Sequence, residues 1–113
     1  MAKIDVTFGQ RVKLIVMLSC LQVGGLGEAR AMDLLMDVIE FSPAETEEIK
    51  FSFDYETRLA RWEANKVPLG QSYSLSLSDV QAAALVRALD RVPVEMSDRK
   101  WLYGIAEACK PVA

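Results

Sequence analysis

The chain has 113 residues, 51% hydrophobic and 26% charged, with a formal net charge of −3. Such a composition describes an ordinary soluble globular domain, long enough to bury about two-thirds of its unfolded surface without a metal or disulfide. There is no histidine, which removes the commonest general base, the commonest zinc ligand and every Ser-His or Cys-His nucleophile, and the acidic balance argues against a general nucleic-acid binder.

In chain order, Thr7-Phe-Gly-Gln10 is a capping box that opens a helix running to about Leu21. Phe8, Val12, Ile15, Leu18 and Leu21 form one face, and Leu14, Val16 and Met17 widen it until little polar surface remains, so this helix should be central. No charge falls between Lys13 and Glu28. The run Leu14-Ile-Val-Met-Leu18 and the later Ala29-Arg-Ala31 therefore mimic a signal peptide. The stretch is too short to span a bilayer, and Asp5 spoils a basic leader, so the expectation is a cytoplasmic protein with no membrane association.

Gly24-Gly-Leu-Gly27 should end the first helix. A second follows from about Glu28 to Ile39, with Met32, Leu35, Met36 and Ile39 inward. Ser42-Pro-Ala-Glu45 is another capping box, with proline at the first helical position of a helix of one or two turns. The rhythm then changes to period two over residues 49–55, where Ile49, Phe51, Phe53 and Tyr55 share a face. Further strands are expected at about 58–64 and 72–77. In the last, Tyr73, Leu75 and Leu77 oppose a row of serines that should face water.

Ser78 and Asp79 suit the start of a helix with Val80, Ala84, Leu85, Ala88 and Leu89 inward, broken by Val92-Pro-Val94. Ser97 should cap a last helix carrying Trp101, Leu102, Ile105 and Ala106 inward, stopped by Pro111. The expected architecture is one α+β domain over residues 1–113, with two N-terminal helices, a short three-stranded antiparallel sheet and two C-terminal helices.

The chemical constellations are few. Cys20 and Cys109 read as buried thiols, and a bridge between them needs closely packed terminal helices. Gly24-Gly-Leu-Gly27 precedes a helix, but no strand leads into it and no lysine follows as a phosphate loop requires. Glu45, Glu47 and Glu48 lack the spacing of a metal loop and a completing histidine. No catalytic residue, metal or cofactor is therefore expected. Residues 33–56 hold eight acids against Lys50 alone, a balance of −7, while the remainder balances at +4. That segment is either an acidic patch for a basic partner or a solvated helix end. Beyond it, Arg58, Arg61, Trp62 and Lys66 place a tryptophan among cations, as a binding hot spot, as a base-stacking platform, or as a cap on the sheet's apolar face.

The order of helix, glycine turn, helix, Phe-Ser-Pro-Ala-Glu, hairpin and capped helix resembles small uncharacterised proteins encoded in phage genomes and prophages. The residues that carry this are Leu34-Leu-Met-Asp-Val-Ile-Glu-Phe-Ser-Pro-Ala-Glu45 and Ser74-Leu-Ser-Leu-Ser-Asp-Val80. The resemblance implies a cytoplasmic protein of a bacterial host cell, used by a phage.

Together these features favour a non-enzymatic protein-binding module, a phage-encoded accessory protein acting on a host or phage partner. Its candidate partner-binding residues are Glu45, Glu47, Glu48, Asp54, Glu56, Arg58, Arg61 and Trp62, and a homodimer is compatible with their mixed charge. The alternatives are a nucleotide or nucleic-acid binder using Arg58, Arg61 and Trp62, and a virion structural component.

Overall fold

The computed structural model describes residues 2–19, 21–54, 56–63, 65–68 and 70–110. Among them, five helices and two small antiparallel sheets make an α+β fold. The chain opens on a strand that the expectations above omit, β1 (Ala2–Thr7). Its residues alternate: Ile4 and Val6 are buried, while Lys3 and Asp5 face water. Thr7 ends β1 and caps α1 (Phe8–Ser19) with no intervening loop. The backbone N–H of Thr7 donates to Gln10 Oε1 at 2.9 Å, and the N–H of Gln10 donates to Thr7 Oγ1 at 3.2 Å. This is the reciprocal capping box expected from the sequence.

α2 (Leu26–Ile39) begins two residues before the expected start. Gly25 provides its entry with φ +81°, a conformation that side-chain-bearing residues rarely adopt. The glycine cluster thus opens the second helix; α1 has already ended at Ser19. α3 (Pro43–Ile49) carries the second capping box, Ser42 with Glu45.

The expected three-stranded sheet is not formed. β2 (Ser52–Asp54) and β3 (Leu59–Arg61) make a short hairpin of their own. β4 (Ser72–Leu77) crosses to the N-terminus and pairs with β1, from Ala2 opposite Leu77 to Thr7 opposite Ser72. The first predicted strand starts late because Ile49 completes α3 and Lys50 follows in a left-handed conformation, φ 54°. Ile49 and Phe51 still turn inward, one from the helix end and one from the connection. The second predicted strand shortens because Arg58 lies in the turn with φ 60°. Tyr55 and Ala64, at the predicted strand ends, lie outside the described residues, as do Cys20, its pairing with Cys109, and the stop at Pro111. Cys109 itself is buried and not in a disulfide.

The serine row of β4 does face water, and the Ser74 hydroxyl donates to Asp5 Oδ1 at 2.8 Å across the ribbon. The opposite face of the ribbon, Ile4, Val6, Leu75 and Leu77, joins one core with Leu14, Ile15 and Leu18 of α1 and Leu35 and Ile39 of α2. α4 (Asp79–Leu89) adds Ala84, Leu85 and Ala88. Small alanines let α4 pack against α2, and Gln81 Nε2 donates to the Leu34 carbonyl at 2.8 Å. Gln81 also completes a capping box with Ser78. Val80, expected inward, is 56% exposed.

A 3-10 turn, Met96–Asp98, leads into α5 (Arg99–Ala108). Ser97 sits inside that turn and does not cap the helix. Asp98 occupies the cap position, and its buried carboxylate accepts from Lys13 Nζ at 2.8 and 3.1 Å and from Trp101 Nε1 at 3.0 Å. These bonds tie α5 to α1 and hold the Asp98 carboxyl below the usual carboxylate range. No helix among the described residues is long and apolar enough to cross a membrane.

Two stability outcomes follow. Leu18→Ala should cost about 2–5 kcal/mol by emptying the core, and Ser78→Ala about 1 kcal/mol through loss of its cap; denaturant melts with the opposite ranking would place the core elsewhere. A depressed carboxyl pKa stabilises the fold above its unfolded value and loses that contribution as pH falls through the folded one. Stability should therefore decline on acidification below about pH 4, and Asp98→Asn should flatten that decline in melts recorded across pH.

Candidate functional site

Arg11 is a site residue that apolar periodicity does not mark. It lies three residues after Phe8 and four before Ile15, on the same face of α1 as Leu18, and is only 4% exposed. A charge on an apolar face needs partners. Its Nε donates to the Ile39 carbonyl at 2.8 Å, and its Nη2 donates to the carbonyls of Glu40 at 2.9 Å and Val38 at 3.5 Å. These are the last carbonyls of α2 and its cap, which have no partner within the helix. Nη1 reaches Glu45 Oε2 at 3.3 Å. The guanidinium lies over the Phe41 ring at 4.5 Å and the Tyr73 ring at 4.9 Å.

This anchor decides where the predicted partner-binding residues go. Glu45 is half-buried and fully engaged: one carboxylate oxygen receives Arg11, and the other accepts the Ser42 N–H at 2.9 Å. Glu47 is exposed and is held by Lys50 Nζ at 2.8 Å, which pulls its pKa down. Glu48 is exposed. It stands with Glu45 near the Tyr73 hydroxyl, beside a hollow of about 330 Å³ that Lys66 also lines. Burial, then Glu45, raise the Tyr73 pKa.

Asp54 shapes the hairpin turn. Its Oδ1 accepts the N–H groups of Glu56 at 2.9 Å and Thr57 at 3.4 Å, and these bonds lower its pKa, with a smaller contribution from Arg61. Glu56, Arg58 and Arg61 are exposed around that turn. Trp62 is half-buried and meets the fully buried Phe8 ring edge-on, with centroids 5.4 Å apart. It belongs to a second, smaller core with Val12, Ile49 and Val67 beneath the hairpin.

The structure therefore divides the predicted patch. Glu45 is engaged internally, Glu47 is neutralised by its neighbour, and Asp54 and Glu56 share the hairpin tip with Arg58 and Arg61. The like charge that remains together is on α2. Asp33 and Asp37 lie one turn apart on its exposed side, Glu40 follows as its extended C-cap, and none of the three forms an ion pair among the described residues. Burial pushes the Glu40 carboxyl up, and the nearby charges of Asp37 and Asp33 add to that rise. No group of three or more His, Cys, Asp and Glu among the described residues is arranged to hold a metal ion.

No protein-family model matches the chain, and no curated protein and no solved structure is significantly similar to it.

Two substitutions separate anchor from surface. Arg11→Ala should cost about 3 kcal/mol or more, because it strands Glu45 and three carbonyls. Trp62→Ala should cost about 3 kcal/mol, the low end for a packed aromatic. Urea melts showing either change within experimental scatter of the parent would remove these residues from the structural framework.

Proposed function

We propose that this chain is a non-enzymatic protein-binding module, a phage- or prophage-encoded accessory protein working in the bacterial cytoplasm on a host or phage protein with a basic surface. The observation that carries this reading is the ridge of Asp33, Asp37 and Glu40. Asp33 and Asp37, four residues apart, repel along the helix, and Glu40 adds a third negative charge just past its end. Two of them also sit at the carbonyl end of α2, where the helix dipole disfavours anions. The last turn of α2 holds no basic residue to offset them. An arrangement that works against the stability of its own helix is well suited to attract cationic groups on a partner.

The packing of Trp62 on Phe8 supports a protein partner over a nucleic acid, because an aromatic held edge-on in a small core offers little face for a base. Exposed Glu48 adds charge of the same sign from α3.

The test compares stability with binding in one variant. Asp33→Asn combined with Asp37→Asn should raise stability by about 0.2–0.5 kcal/mol in denaturant melts, through relief of their mutual repulsion. The same variant should lose partner capture from bacterial lysate and weaken calorimetric binding of the purified partner by about tenfold, a loss mimicked by added salt. A variant that retains every partner at low ionic strength would show that the ridge is not the recognition surface.

A further inference from the structure

The outward face of the β2–β3 hairpin is complementary to itself, and the geometry points to this face as a homodimer contact, separate from the acidic ridge of α2. The register places Ser52 opposite Arg61 and Asp54 opposite Leu59. All four side chains are exposed, while Phe53 and Ala60, between them in sequence, are half-buried on the other face. Four residues thus form a small square. Asp54 and Arg61 occupy one diagonal, and Ser52 and Leu59 the other. Leu59, 54% exposed, is the large apolar side chain of that face, and the square borders an open depression of about 630 Å³.

A two-fold axis lying in the contact plane along the Ser52–Leu59 diagonal satisfies the whole square at once. It sets Leu59 against Leu59 of the second copy. It also lays Asp54 over Arg61 of the second copy, and Arg61 over its Asp54. Such an isologous contact uses the same patch twice. A basic or an acidic partner would match only one corner of the diagonal and oppose the other, so the mixed charge selects a second copy of this chain. Three-residue strands in a two-stranded hairpin are also marginal by themselves, and stacking would cover the exposed Leu59 side chain. The patch is far smaller than the ~800 Å² per partner of a standard interface, so the dimer should be weak, concentration-dependent and sensitive to salt.

Sedimentation equilibrium on the purified full chain, with no partner present, tests this independently of the α2 ridge. The parent should show a reversible monomer–dimer equilibrium that weakens as salt is added. Asp54→Asn keeps the acceptor for the turn N–H groups but removes the charge, and it should weaken self-association about tenfold through loss of two symmetry-related pairs. Asp54→Arg and Arg61→Asp should each be monomeric alone. Mixed in equal amounts they should form a one-to-one dimer, because all four facing charges are then opposite. A parent that stays monomeric up to its solubility limit overturns the proposal. So does a dimer indifferent to Asp54→Asn, or a mixture of two folded variants that does not associate.

Discussion

A single buried guanidinium joins the parts of this molecule. Taking a charge out of water is expensive unless its donors are nearly all used, and Arg11 uses them on the carbonyls that finish α2 and on the Glu45 carboxylate. The planar fork reaches several acceptors at once, and its faces stack on Phe41 and Tyr73, which a lysine ammonium cannot reproduce. The sharp exit from α2, the entry angle of α3 and the seat of β4 therefore all refer to one side chain on α1. Glu45 serves two ends in the same place, as the second half of its own helix cap and as the counter-ion of Arg11.

From that joint the apolar side chains separate into two groups. The larger fills the space between the β1–β4 ribbon and helices α1, α2, α4 and α5. The smaller lies under the hairpin and borrows Phe8 and Val12 from the first turns of α1. α1 is apolar nearly all round because it serves both. Phe41, Phe51 and Tyr73 pack against both groups, and ring contacts between Phe41 and each of the other two, at 4.8 and 6.4 Å, close the boundary around Arg11.

Local chemistry was readable from the residues where it is self-contained. The capping boxes at Thr7 and Ser42, the cap at Ser78, and the alternation of Ser72 to Leu77 need only neighbours a few positions away, and all four features are present. Pairing was not readable. Nothing within Ser72–Leu77 says that its partner is Ala2–Thr7 and not the nearer Leu59–Arg61, since a strand's partner is chosen by which apolar face completes the core. The alternation of Ile4 and Val6 was present in the sequence but masked by the capping signal beginning at Thr7. Arg11 was hidden for the opposite reason: helical periodicity marks apolar positions, and a cation at such a position shows only when the face around it is traced residue by residue. Ser97 misled because a 3-10 turn and an α-helix begin with similar residues, and the Asp98 side chain is drawn to Lys13 and Trp101. The candidate site was legible as residue types but not as a surface, because Arg11 and Lys50 take up two of its carboxylates.

The pairing of Ala2 with Leu77 has a consequence for how the protein reaches this structure. The ribbon joins segments separated by most of the chain, and contacts of high sequence separation form slowly because the intervening loop must close first. The helices can form early from local bonds, but the apolar side of α1 has no ribbon to rest on until β4 has been synthesised. During translation, then, the hydrophobic run Leu14 to Leu18 emerges well before β4 and waits for the ribbon to cover it. The interval between those events is when the nascent chain is most vulnerable to aggregation. Chaperone dependence of this protein should accordingly track the time needed to make residues 19–77 more closely than the stability of the finished fold.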